Sequence, residues 1–112
     1  MPYNPVFKFI ETRLFTRLVR EYLSDDEYSR LQWLLIRNSE AGAVVRGSGG
    51  VRKLRWPAPG RGKRGGYRVI YFVRRGGGVI WLLTIYPKNV ADSIPTHVLK
   101  RIREEIEDVD KA

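Results

Sequence analysis

Between Leu14 and Leu23 the apolar positions recur at helical spacing. Leu14, Phe15, Leu18, Val19, Tyr22 and Leu23 make one stripe, which predicts an amphipathic helix. The stretch before it, Val6 to Thr12, is short, partly aromatic and β-prone, and predicts a strand. Ser24-Asp25-Asp26-Glu27 then stops one helix and starts another: Ser24 can cap the new N-terminus while Glu27, three positions on, bonds back to it. The second helix carries Tyr28, Leu31, Leu34 and Leu35 inward and runs to about Glu40, so the pair reads as a helical hairpin.

The pattern then changes. Gly42, Gly47, Gly49 and Gly50 loosen the chain before Val51 to Trp56, which alternates as a strand does and ends at Pro57 and Pro59. Gly60 to Gly66 is a glycine-rich basic loop, and Tyr67 to Val73 is β-branched or aromatic except at Arg68. Gly76-Gly77-Gly78 marks a turn, and Val79 to Tyr86 returns as the partner strand. Pro95 fits the first turn of a last amphipathic helix carrying Val98, Leu99, Ile102, Ile106 and Val109 on one side. The order β-α-α-β-β-β-α predicts an α+β fold, a small antiparallel-rich sheet with the helical hairpin and the C-terminal helix on one face. At 112 residues it forms a single domain, 1–112.

The register of the glycine hairpin matters, because residues directly opposite in an antiparallel pair share a face. A loop of all three glycines pairs Arg75 with Val79 and sets Arg68 opposite Tyr86. A two-residue loop sets Arg68 opposite Ile85 instead. The three-residue loop is the expected one, since it gathers Arg68, Tyr86 and Lys88 on one face.

Charge sharpens the picture. The net charge is +9, yet Ala41 to Ala91 holds eleven Lys and Arg residues and not one Asp or Glu. Like charges left unrelieved over half a domain destabilise it, so a one-sign block points to a polyanionic partner. All eleven glycines fall in the same stretch. Cysteine is absent, which suits a reducing cytoplasm. The N-terminus lacks the basic start and apolar stretch of a signal peptide, and no apolar run approaches the roughly 18 residues of a membrane span. The expected localisation is therefore cytoplasmic, with no membrane partner.

Two nucleotide motifs fail on context. Gly60-Arg61-Gly62-Lys63-Arg64-Gly65 has the letters of a dinucleotide fingerprint but follows two prolines and precedes a strand. Gly62-Lys63 is no Walker loop, because Arg64 stands where Ser or Thr would hold magnesium. What remains is a flexible loop whose Arg61, Lys63 and Arg64, with Arg52 nearby, are candidates for binding the phosphates of a nucleic acid. His97 is the single histidine and reads as a surface residue; no metal site and no cofactor are expected. Alternation puts Lys53 and Arg55 on one face of their strand, and Arg68 interrupts an apolar strand at some cost. Lys53, Arg55, Arg68, Tyr86 and Lys88 are the candidate catalytic residues.

Gly49 to Trp56, Gly60 to Tyr71 and Tyr86-Pro87-Lys88-Asn89, in that order and spacing, resemble the RelE/ParE superfamily of bacterial toxins, most closely its HigB-type branch. The resemblance spans nearly the whole chain and implies a RelE-like fold. It further implies the toxin of a type II toxin–antitoxin system: an mRNA endoribonuclease working on the ribosome, neutralised by an antitoxin with a helix-turn-helix domain. Lys53 and Arg55 fall where such toxins carry paired basic strand residues, Arg68 matches the arginine after the glycine loop, and Lys88 falls near the basic residue after the last strand. RNA supplies its own nucleophile when a 2′-hydroxyl attacks the adjacent phosphate. The protein then needs a base, an acid and cations for the phosphorane. Lys53 is the preferred base, a role a lysine takes only when crowded like charges lower its pKa; Lys88 or Tyr86 is the donor or stacking group. Two alternatives stay open: a ParE-like toxin that binds and inhibits DNA gyrase, and a non-catalytic RNA-binding module.

Overall fold

Short-range caps set where the first two helices begin. Thr12 accepts the Phe15 N–H at 3.0 Å and opens α1 (Arg13–Tyr22). Ser24 and Glu27 form the reciprocal capping box, with bonds of 3.1 and 2.8 Å, and open α2 (Asp25–Arg37). The computed structural model describes residues 8–57, 66–74, 76, 78–89 and 94–111. The strands are β1 (Lys8–Glu11), β2 (Ala43–Val44), β3 (Arg52–Trp56), β4 (Tyr67–Arg74) and β5 (Val79–Pro87), and the chain closes on α3 (Thr96–Lys111). They form one five-stranded sheet in the order β1-β5-β4-β3-β2, with β1 parallel to β5 and every other pair antiparallel.

The helices do not share a face, contrary to the expectation from the sequence. Phe15, Val19, Leu31 and Leu35 pack with Leu54, Val69, Tyr71, Leu82 and Ile85 on one side. Leu99 and Ile106 of α3 pack with Val51, Ile70, Leu83 and Tyr86 on the other. The reason lies in β4 and β5, which are apolar at consecutive positions and so need cover on both sides. Three smaller departures follow local geometry. Leu14 leaves the α1 stripe and is 43% exposed, because a neighbour of Phe15 in sequence lies about 100° around the helix from it. Asn38 caps α2 at Arg37, short of Glu40. The two-residue β2 adds an edge strand too short to leave a pattern.

The hairpin joining β4 and β5 also differs from both registers that its glycines allow in an unbroken ladder. At its tip Val79 pairs with Arg74 and not with Arg75 as expected, which is the register of the two-residue loop, and the pairing continues to Tyr71 with Leu82. The ladder then slips: Ile70 pairs with Thr84, leaving Leu83 outside as a β-bulge, and Arg68 comes to lie opposite Tyr86.

Candidate active site

One rung crosses three strands. Arg55 of β3 pairs with Arg68 of β4, which pairs in turn with Tyr86 of β5. Partners in a ladder share a face, so these three side chains emerge on the α3 side of the sheet. Lys53 lies two residues from Arg55 and opposite Ile70, which places it on that face as well. Three cations and one phenol thus share this face, with Arg68 the cation next to the phenol. Like charges directly across a ladder are destabilising, and an anion seated among them removes that cost.

Exposure grades across the rung. Arg55 is exposed and Lys53 half-buried, while Arg68 is 9% and Tyr86 8% exposed. Arg68 donates through Nη1 to the carbonyl of Tyr67 at 3.3 Å. The Tyr86 hydroxyl is buried without a hydrogen-bond partner among the described residues. Burial pushes the Tyr86 phenol above the usual tyrosine range, and the Arg68 charge pulls it part of the way back. The group therefore stays protonated at neutral pH and is equipped to donate.

The other candidates sit as follows. Lys88 is exposed one step past β5, and its N–H donates to the Gly66 carbonyl at 3.0 Å, extending the ladder toward the glycine loop. Arg52 pairs with Tyr71 and so belongs to the opposite face from Lys53 and Arg55. Its guanidinium is spent on backbone, donating to the carbonyls of Gly42 at 2.7 Å and Glu40 at 3.3 Å. Arg61, Lys63 and Arg64 lie outside the described residues. His97 is exposed, and among the described residues no cluster of His, Cys, Asp or Glu is arranged to hold a metal ion. No described helix is long and apolar enough to cross a membrane.

Two supporting residues carried no signal in the sequence. Leu83 sets the register, and Thr12 holds it: the Thr12 hydroxyl donates to the Leu83 carbonyl at 2.7 Å while its N–H donates to Leu82 at 3.1 Å. Only the bulge makes that carbonyl matter.

A five-stranded mixed sheet flanked by three helices in this order is an α+β fold of the RelE type. Among solved structures, the chain is similar to a mutant of the Escherichia coli toxin RelE in the free state. That match has a TM-score of 0.58 and 15% identity over 87% of this chain and 96% of that one. It is also similar to an archaeal RelE–RelB complex from Pyrococcus horikoshii, with a TM-score of 0.51 and 22% identity over 76% of this chain and 98% of that one. No family model matches the sequence.

Proposed function

We infer that this chain is the toxin of a toxin–antitoxin pair and acts as an endoribonuclease on mRNA, on the ribosome and in the cytoplasm. The observation that carries the reading is the Arg55–Arg68–Tyr86 rung with Lys53 beside it, set in a segment without a single carboxylate. In the reaction the substrate's 2′-oxygen forms a bond to the neighbouring phosphorus and the bond from phosphorus to the 5′-oxygen breaks. Lys53 takes the 2′-hydroxyl proton, and Tyr86 or Lys88 returns one to the departing 5′-oxygen. Arg55 and Arg68 neutralise the phosphorane, a task suited to guanidiniums that remain charged. A phosphate seated beside Arg68 supplies the acceptor that the Tyr86 hydroxyl lacks among the described residues. Within the superfamily, the motifs favour the HigB-type branch.

A partner protein follows from the same charge. An exposed positive face binds nucleic acid indiscriminately through counterion release. An antitoxin that covers this face suppresses such binding, and the Pyrococcus relative is itself found as a complex with RelB. Co-purification with the product of the adjacent gene is expected to give a complex with sharply weaker RNA binding.

The decisive experiment maps RNA ends after induction in bacteria. New ends inside coding regions, with a cyclic 2′,3′-phosphate upstream and a 5′-hydroxyl downstream, support the reading. Intact messages with trapped gyrase–DNA complexes overturn it in favour of a gyrase poison, and RNA that is bound but uncut leaves only a binding module.

A further inference from the structure

A second basic surface lies outside the acid-free segment. Arg13, Arg17 and Arg20 stand at i, i+4 and i+7 of α1, all exposed, on the side turned away from the buried Phe15 and Val19. With Glu11 and Thr16 they line a shallow recess of about 420 Å³. The carboxylate in that recess is already engaged. Glu11 Oε1 accepts from the Thr16 hydroxyl at 2.5 Å, and Oε2 accepts from the Tyr28 phenol. Burial first, and then Glu11 itself, push Tyr28 well above the usual tyrosine range, so the phenol keeps its proton and goes on donating. Among the described residues, none of the three guanidiniums has a hydrogen-bond or ion-pair partner.

The spacing suits a polyphosphate. Arg13 and Arg17 are about 6 Å apart along the helix axis, and Arg17 and Arg20 about 4.5 Å. Phosphates of one strand advance about 3.4 Å each along a DNA duplex and somewhat less along an A-form RNA duplex, so each arginine meets one or two of them. Guanidinium forks match phosphate oxygens bidentately and never lose their charge. An acidic protein partner would also seek an apolar anchor pocket, and this recess is lined by Glu11, Arg13, Thr16, Arg17 and Arg20, with no large apolar side chain among them.

We propose that the outer face of α1 is a second phosphate-backbone site, which takes a double-stranded segment of RNA without reading its bases. α1 packs on the opposite side of the sheet from Arg55 and Arg68. The RNA held there is thus a different segment from the strand at the rung, and the surface docks the substrate assembly while the other face cuts. The choice of RNA as the polyanion rests on the nuclease reading; the unpartnered arginine row does not.

The test uses the full chain and a 2′-O-methyl RNA duplex, which cannot be cleaved, with binding followed by fluorescence anisotropy over a salt series. The Arg13→Gln/Arg17→Gln/Arg20→Gln variant is expected to lower the slope of log affinity against log salt by about 2 to 3, close to one per lost phosphate contact. Replacing the same three residues by Lys should preserve the slope. Single-turnover cutting of mRNA on ribosomes, at saturating protein, should be unaffected by the Gln variant. If that variant loses its thermal melting transition, Arg17→Gln alone decides, with an expected loss of about one unit of slope. An unchanged slope overturns the proposal. So does a variant that loses binding to polyglutamate while keeping its RNA slope, which would assign the face to an acidic protein. A wild type that cuts no mRNA on ribosomes but shows the α1-dependent slope sinks the nuclease reading and leaves this site standing.

Discussion

Arg68 faces Tyr86 because Leu83 stands outside the ladder between β4 and β5. Continued unbroken from Arg74 and Val79, the pairing would set Ile85 opposite Arg68 and turn Tyr86 to the other side of the sheet. The extra residue reverses that outcome, and its carbonyl is taken up by the Thr12 hydroxyl. Thr12 also caps α1, so one side chain joins the helix start to the strand irregularity beneath the rung. Thr12→Ala is expected to cost about 1 to 2 kcal/mol from the cap alone. Urea unfolding should show a lower midpoint at an unchanged m-value, with Thr12→Ser restoring most of it. A midpoint equal to that of the wild type would refute the link.

Arg68→Ala should reduce RNA cleavage by about a hundredfold, the order expected when one charge stabiliser is lost. The fold should persist, because the change also relieves like-charge crowding opposite Arg55. The paired measurement is single-turnover cleavage beside thermal melting. A variant that melts normally and cuts normally removes Arg68 from the site.

Two buried tyrosines should respond in opposite ways to loss of the hydroxyl. Tyr71 donates to the Ser39 carbonyl and accepts from the Gly42 N–H, both at 2.8 Å, so Tyr71→Phe strands two backbone groups. A loss of about 1 to 3 kcal/mol is expected. The Tyr86 hydroxyl has no partner among the described residues, so Tyr86→Phe should be neutral or slightly stabilising while lowering cleavage. Denaturation midpoints of the two variants, measured together, check the contrast.

Stability should fall at alkaline pH for the same burial reason. Tyr28, Tyr71 and Tyr86 are all raised, chiefly by desolvation, so the folded chain favours the neutral phenol. That contribution is complete below the unfolded tyrosine value of about 10, and is lost as pH climbs through the raised folded values. Melting temperature against pH should be level near neutrality and decline above about pH 10. Tyr86→Phe should soften the decline by one group's share.

Gly42→Ala tests the close approach of the chain before β2 to β3 and Tyr71. An added Cβ would stand 2.8 Å from the Tyr71 ring and 3.0 Å from the Lys53 backbone, and β3 backbone cannot give way as a side-chain tip can. A destabilisation of about 1 to 3 kcal/mol is expected, as for an overpacked core. Calorimetric melting gives the comparison, and an unchanged transition would mean the loop yields freely.

What lay in the sequence itself was whatever neighbouring residues decide. The Ser24–Glu27 box needs residues only three apart, so its letters sufficed to start α2. Alternation alone put Lys53 and Arg55 on one face, since a strand repeats every two residues. The carboxylate-free block from Ala41 to Ala91 is a plain fact of composition, and it pointed to a polyanion. Tertiary structure decided the rest. β4 and β5 are apolar on both faces, so no pattern distinguished their registers or said which side α3 covers. Arg52 and Arg55 look alike as letters, yet one is spent on the Gly42 carbonyl and the other is exposed at the rung. The bulge at Leu83 answers to Thr12, 71 positions away along the chain. A contact at that separation leaves no periodic trace, because its energy arises only when the chain has folded.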